Sequence, residues 1–530
     1  MNFDLPNSWI TVKVKDFSEV ITGNTPPTKE IENYGGQIPF VKPAELKDDY
    51  VGECETYLTE LGATKARILP LNSILVSCIG NLGKTAINKQ PVGFNQQINA
   101  IIPSSLINPL FIFYQTQSVN FRNQLEDKSS ATVISIVNKT SFENLFINIP
   151  PINEQNRIVE KIETLFSEID AGVESLSKAK TQLERYRQSL LKHAFEGKLT
   201  AQWRADYESK NGKPLPTADE LIEQIQTARQ AHYDKQIKDW ELAVKAWENN
   251  GKNGKKPTKP TKLEKIIKLN NENLPKSWAI IEFNGLCDLV RNGISTKPIG
   301  DNGQKIFRIS AVRALKLNLD DYRFVSDDID YSNFLLKKGD LLFTRYNGTR
   351  NFVGVCAEFD SNEDYLYPDK LIRATVSLTN INNKFLAYGL NSGLSRKFIE
   401  NKIRTTAGQS GISGTDIKNT PVVICLKEEQ DFIVNYLDEK LSEVEKSVNE
   451  ISIQLEKAKL LKSAILHKAF QGKLVPQDPT DLPASQLLDQ IKAERLAKQT
   501  AKQTAQTATK SKAKANKQPK AKSKAKTKES

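Results

Sequence analysis

The chain has 530 residues, enough for roughly three or four domains with real cores, and no apolar run approaches the ~20 residues that span a bilayer. Its five cysteines (Cys54, Cys78, Cys287, Cys356, Cys425) are scattered and never form a Cys-x-x-Cys pair, which argues against a disulfide framework or a zinc site and for a reducing cytoplasm. Of the formal net charge of +12, residues 498 to 530 supply +10, with eleven lysines against Glu529 alone, so the rest of the chain carries only about +2 and is not broadly basic.

Residues 1–150 read as a mixed α/β domain. They begin without a basic n-region or apolar stretch, so no leader is expected. The motif Leu5-Pro6-Asn7-Ser8-Trp9 is followed by a turn at Gly23 with Pro26-Pro27, then by strands at Ile38 to Val41, at Asn72 to Ser77 and at Ile98 to Ile102. The run Gly80-Asn81-Leu82-Gly83-Lys84-Thr85 is read as a strand-connecting turn, because a phosphate loop needs glycine where Cys78 stands.

A long helix is expected over 151–200. Ile162, Ile169, Leu176, Leu183 and Leu190 recur every seven residues, no proline interrupts, and Gly197 supplies a left-handed end. About 44 residues at 1.5 Å each make it roughly 66 Å long. Region 201–272 reads as a helical insertion, centred on Ala218 to Ala228, followed after Trp240 and Trp247 by a flexible linker, Asn249 to Pro257.

The pattern then repeats. A second mixed domain, 273–425, opens Leu274-Pro275-Lys276-Ser277-Trp278, turns at Gly293 with Pro298, and has strands at Ile306 to Ile309, Gly339 to Thr344 and Leu371 to Val376. Gly408, Gly411 and Gly414 are read as a mobile loop. A second long helix, 426–475, carries Leu437, Val444, Ile451, Ala458 and Ile465 at the same sevenfold spacing. Glu154-Gln155, Ala194-Phe195 and Gly197-Lys198-Leu199 return as Glu429-Gln430, Ala469-Phe470 and Gly472-Lys473-Leu474, every pair 275 positions apart. A short C-terminal helix over 476–497 resembles Ala218 to Ala228, and the lysine-rich tail 498–530 is expected to be disordered, either a weak polyanion binder or a solubilising appendage. The fold class is therefore α+β: two repeated mixed domains and two long helices. The helices either pair with each other as an antiparallel coiled coil, which would send the domains to opposite ends, or serve as separate amphipathic helices or a homodimer zipper.

Catalytic chemistry is sparse. His193, His232 and His467 are the only histidines, two of them at helix ends where the dipole favours them, and no base-seating Asn-Pro-Pro-Tyr or Asp-Pro-Pro-Tyr run occurs. What stands out is recognition chemistry in the turns: Lys65, Arg67, Lys84, Asn95, Gln96 and Gln97 in the first domain, and Arg308, Arg345, Asn347, Arg350, Lys370 and Arg373 in the second. Such side chains pair with guanine or adenine edges or hold phosphates.

The duplicated domain-plus-helix plan, Gly23-Asn24-Thr25-Pro26-Pro27, Asn95-Gln96-Gln97-Ile98-Asn99-Ala100, Ile149-Pro150-Pro151 before Glu154-Gln155, and the paired helix exits resemble specificity subunits of type I restriction-modification systems. The resemblance covers about 5 to 200 and 274 to 495, and weakens in the second domain, where Leu342 to Arg350 replaces Val76-Ser77-Cys78-Ile79-Gly80. It implies two target-recognition domains reading a bipartite site in double-stranded DNA, and long helices that act as spacers. It also implies that two methylation subunits dock on the repeated helix ends: Glu154, Gln155, Phe195, Gly197, Lys198 and Leu199, with Glu429, Gln430, Phe470, Gly472, Lys473 and Leu474. Restriction subunits complete the assembly. S-adenosylmethionine, ATP and Mg would then belong to partner subunits, this chain being non-catalytic and cytoplasmic. A structural coiled-coil protein with two globular heads, and a self-contained DNA methyltransferase, are the rival readings.

Overall fold

The computed structural model describes residues 5–130, 134–270, 273–406 and 408–515, with the backbone alone for 499 and 501–515. It divides into two compact units, residues 1–177 with 452–530, and residues 178–451.

In the first unit a five-stranded sheet runs in the order Ser18–Thr22, Ile98–Pro103, Ile74–Ser77, Thr85–Ile87 and Asp49–Tyr50. Its central strands are buried on both faces, which is why Ile74-Leu75-Val76 reads as a continuous apolar run and why even Ser77 and Asn99 are buried. A ribbon of Ile10–Lys13 against Phe146–Ile149 carries the chain into the first long helix, Ile152–Phe195.

The second unit repeats the plan. Its sheet orders Leu289–Asn292, Leu371–Thr375, Leu341–Thr344 and Cys356–Glu358; the ribbon is Ala279–Glu282 against Pro421–Ile424, leading to the second long helix, Lys427–Ala469. Gly23 and Gly293 occupy the same place in the two copies. Each crosses the backbone entering the third strand so closely that an added Cβ would lie 2.2 Å from the Asn95 carbonyl oxygen or 2.1 Å from that of Tyr367, a position only glycine fills.

The long helices contact each other in antiparallel sense. In the first unit Ile158, Val159 and Ile162, early in one helix, share a core with Ile465, Leu466, Ala469 and Phe470, late in the other, and Lys462 Nζ lies 2.6 Å from Asp170. In the second unit Leu190, Ala194 and Phe195 share a core with Ile433, Val434 and Leu437. The sevenfold positions are the buried or half-buried ones throughout, as a coiled-coil seam requires.

Three expectations change. Gly408 and Gly411 belong not to a mobile loop but to a hairpin pairing Arg404–Thr406 with Gln409–Gly411, and Gly414 opens a short helix. The C-terminal helix is longer than expected, Ala484–Ala515, so the segment from 498 to 515 is helical, since its Ala, Lys and Gln residues are good helix formers; the remainder of the tail lies outside the described residues. The linker after Trp247 is tied down: the Trp240 and Trp247 indoles donate to the carbonyls of Pro257 and Gly254, both at 3.0 Å.

Candidate nucleic-acid interface

The signature Leu-Pro-x-Ser-Trp builds the frame of each unit. The Trp9 indole N–H donates to Glu154 at 3.0 Å, and that of Trp278 to Glu429 at 2.9 Å. Beside each glutamate, the next residue staples the helix start to the domain. The Gln155 side chain accepts from the Asn108 amide at 3.0 Å and donates to the Pro150 carbonyl at 2.9 Å; Gln430 does the same with Asn382 at 2.8 Å and Cys425 at 2.7 Å. The helix exits are Schellman-type ends, with Gly197 at φ +71° and Gly472 at φ +70° and Lys198 N–H donating to the His193 carbonyl. An added Cβ on Gly197 would lie 2.4 Å from the Pro275 ring, and one on Gly472 2.5 Å from the Pro6 ring.

This geometry corrects the docking group. Glu154, Gln155, Glu429 and Gln430 are at most 1% exposed, and Phe195 and Phe470 are buried in the unit cores; Gly197 and Gly472 face prolines of their own unit. Their polar groups are already matched internally, so they fasten each unit and present nothing to a partner. Of the group, Lys198 and Lys473 are exposed, and Leu199 and Leu474 half-buried. Burial pushes the Glu154 carboxyl above its ordinary value, against the opposing effect of hydrogen bonds from Gln477 and Trp9.

In the second unit the loops around the four-stranded sheet enclose a cleft of about 630 Å³. Its walls carry Arg308, Arg313, Arg323 and Lys370, the amides of Asn347 and Gln409, and the ring of Tyr346, without a single carboxylate. Tyr346 is set by Gly411, against which an added Cβ would be 2.5 Å from the ring. The guanidinium of Arg345 stacks on that ring at 4.7 Å, and Lys370 approaches it at 5.5 Å. Cations, amides and apolar walls in one open cleft suit a polyanion whose bases offer hydrogen-bonding edges.

The structure thus keeps Arg308, Asn347 and Lys370 together and adds Arg313, Arg323, Tyr346 and Gln409. It removes Arg373, which is 4% exposed, paired with Asp340 at 2.8 Å and donating to the Leu335 carbonyl at 2.7 Å; a guanidinium spent on a buried carboxylate cannot reach a base. Arg350 is turned to structural use as well, donating to the Glu400 and Ile403 carbonyls, and Arg345 donates to the Asp369 carbonyl. No sequence signal separates these arginines from Arg313 and Arg323, because their partners lie on strands and helices remote in the chain.

In the first unit, Asn24 links the candidates: its side chain donates to the Lys65 carbonyl and accepts from the Arg67 amide, both at 2.7 Å. Thr25 donates to Gln96 at 2.7 Å. Lys65, Arg67 and Gln96 are therefore brought to one exposed polar surface. Asn95, 8% exposed, is withdrawn from it, with its amide closing a turn onto Gln97. Lys84 sits in the neighbouring turn, its backbone held by Ser77. Among the described residues no group of three or more His, Cys, Asp or Glu could hold a metal, and no helix is long and apolar enough to cross a membrane.

A family model described as "Type I restriction modification DNA specificity domain" matches residues 6–178. The chain is 28% identical over 514 residues to the type I restriction enzyme EcoKI specificity subunit of Escherichia coli (strain K12), covering 93% of this chain and 97% of that one. It is 25% identical to the StySPI specificity subunit of Salmonella potsdam, covering 93% and 96%. A solved chain from work on complex assembly and conformational transition of the type I R-M system aligns with TM-score 0.62 at 17% identity, over 89% of this chain and all of that one, and so shares its fold.

Proposed function

This chain belongs to the family of type I restriction-modification DNA specificity subunits, and from that premise we propose that it reads a bipartite target in duplex DNA and brings methylation and restriction subunits to it. The observation that carries the reading is a frame repeated while its surface changes. Trp9–Glu154 and Trp278–Glu429, Gln155 and Gln430, Gly23 and Gly293 coincide between units, whereas their loops carry different side chains: Arg308, Arg313, Arg323 and Lys370 around the cleft of the second unit, and Lys65, Arg67 and Gln96 gathered by Asn24 and Thr25 in the first. One scaffold with two sets of loops is what reading two different half-sites requires.

In this proposal the chain contributes recognition and no catalysis. The long helices space the two readers, and Lys198, Lys473 and their flanks offer the docking surface for two methylation subunits. S-adenosylmethionine, ATP and Mg act in those partners, in the cytoplasm. The test is to map methylated adenines by single-molecule sequencing in cells carrying and lacking the gene, and to offer the purified chain labelled S-adenosylmethionine with DNA. A split motif that vanishes with the gene, and no label transfer by the chain alone, are expected; label transfer by the isolated chain would show an enzyme instead.

A further inference from the structure

Between the long arm helix Ala218–Asn249 and the strand Lys268–Leu269 the chain runs back along the helix as an extended strap. It is pinned at four places. Trp247 donates to the Gly254 carbonyl, Trp240 to the Pro257 carbonyl, and the buried Arg229 to the Glu264 carbonyl at 3.0 Å, while Ile266 enters the core of the unit. Pinned through its backbone, the strap presents Lys252, Lys255, Lys256, Lys259, Lys262 and Lys265, all exposed. Two of them lie near the tryptophans, Lys256 at 5.9 Å from the Trp247 ring and Lys259 at 5.3 Å from the Trp240 ring.

None of the six makes an ion pair among the described residues; Lys268, at the strap's end, is the one that does, with Asp219. The only carboxylate in the strap, Glu264, accepts from Asn284. With Lys268 the segment 252–268 carries +6, so that segment and the tail together exceed the chain's net +12 and leave the remainder at −4. Like charges held in a row without counter-charges are costly unless a polyanion meets them.

We infer that the strap is a sequence-independent clamp on the DNA backbone, an inference that rests on the DNA-reading function above. From Lys252 to Lys265 an extended chain reaches at most about 45 Å, comparable to the 34–36 Å of one turn of B-DNA. A protein partner fits less well. Protein interfaces are depleted in lysine and enriched in aromatics and arginine, while the strap's basic residues are all lysines, it has no aromatic residue of its own, and the two tryptophans of the helix beneath it are engaged by its carbonyls.

The experiment uses the full chain assembled with its methylation subunits, on two duplexes: one containing the motif found by methylation mapping, one of scrambled sequence. Binding is measured against salt for the wild type, a variant with all six lysines changed to glutamine, and one with all six changed to arginine. The glutamine variant should lose affinity for both duplexes and flatten the slope of log K against log salt by roughly 3 or more, about 0.9 per phosphate contact. The arginine variant should keep the slope, and the methylated motif should be the same in all three. Because the lysines are exposed, both variants should fold, the arginine variant melting with the wild type and the glutamine variant no lower. An unchanged slope in the glutamine variant overturns the clamp, as does loss of a methylation subunit with DNA binding intact. If the wild-type complex fails to prefer its motif over the scrambled duplex, the DNA-reading function itself falls, a separate result.

Discussion

Glu429 accepts from Trp278 at 2.9 Å and from Arg204 at 2.7 Å while being fully buried. The indole comes from the start of the second domain, the guanidinium from the helix that follows the first long helix, and the carboxylate from the start of the second long helix. One side chain therefore ties three remote segments of the unit together.

Removing that carboxylate leaves the indole N–H without its acceptor and the guanidinium without its counter-charge, with only the Thr200 hydroxyl and the Gly197 carbonyl to accept from it. Glu429→Ala should destabilise the second unit by about 3–5 kcal/mol, the cost of breaking a buried pair. Lys316→Ala, which breaks an exposed pair with Glu445, should cost no more than about 1 kcal/mol. Urea unfolding of the two variants checks the contrast; equal losses would mean that burial at Glu429 adds nothing.

The equivalent carboxylate in the first unit gives a pH signature. Burial raises the Glu154 pKa above its unfolded value, so between the two values the folded state holds more protons than the unfolded one, and this group's contribution to stability falls as pH rises through that window. Glu154→Gln keeps an acceptor for Trp9 and Gln477 but cannot ionise. Its stability should lack that fall, and unfolding free energies measured from the usual carboxylate range upward should diverge from wild type in that direction.

The cleft predicts a division among arginines. Arg308→Ala and Arg323→Ala should weaken methylation of the target, by about 1–3 kcal/mol of discrimination at a single base pair where the guanidinium forks onto guanine. A loss uniform over all sequences would mark a phosphate contact. Arg373→Ala should lower the melting temperature with the motif unchanged. A shifted motif for Arg373→Ala would show that the buried pair also shapes the reading surface.

Replacing residues 1–150 with the corresponding domain of a relative should alter one half of the methylated motif and preserve the other, since base contacts are local to the loops that make them. Simultaneous change of both halves would refute two independent readers.

Helix length should set the unread gap between half-sites. Four residues inserted after Ala179 add about 6 Å with a net rotation of roughly 40°, which keeps the downstream seam nearly facing its partner. At about 3.4 Å per base pair the gap should widen by one or two, with both half-sites intact. Methylation mapping of an active variant with an unchanged gap would contradict the proposed spacer.

The frame was readable because its signals are local or periodic. Sevenfold leucines and isoleucines mark the seam, and Gly197 and Gly472 end their helices where left-handed φ is needed. The site was less so. Arg373 and Arg323 look alike in the chain, and only the register placing Arg373 opposite Leu342, beside Asp340, buries one of them. Glu154 and Glu429 repeat at equal spacing as a docking motif would, yet the repetition reflects an internal fastening to tryptophans about 150 residues away. The strap's polar, glycine-rich composition suggested looseness because its anchors, Trp240 and Trp247, act through backbone carbonyls, which carry no mark in the sequence.

Pro6 lies against Gly472, and the Ser8 carbonyl accepts from the Ala484 amide at 3.0 Å, so the chain's opening motif and the segment after its last long helix are neighbours. The order in which the segments are strung is then secondary to how they meet. New chain ends opened within Gly251 to Gly254 would leave the Trp–Glu fastening of each unit whole and would cut the strap beside its anchor at Trp247.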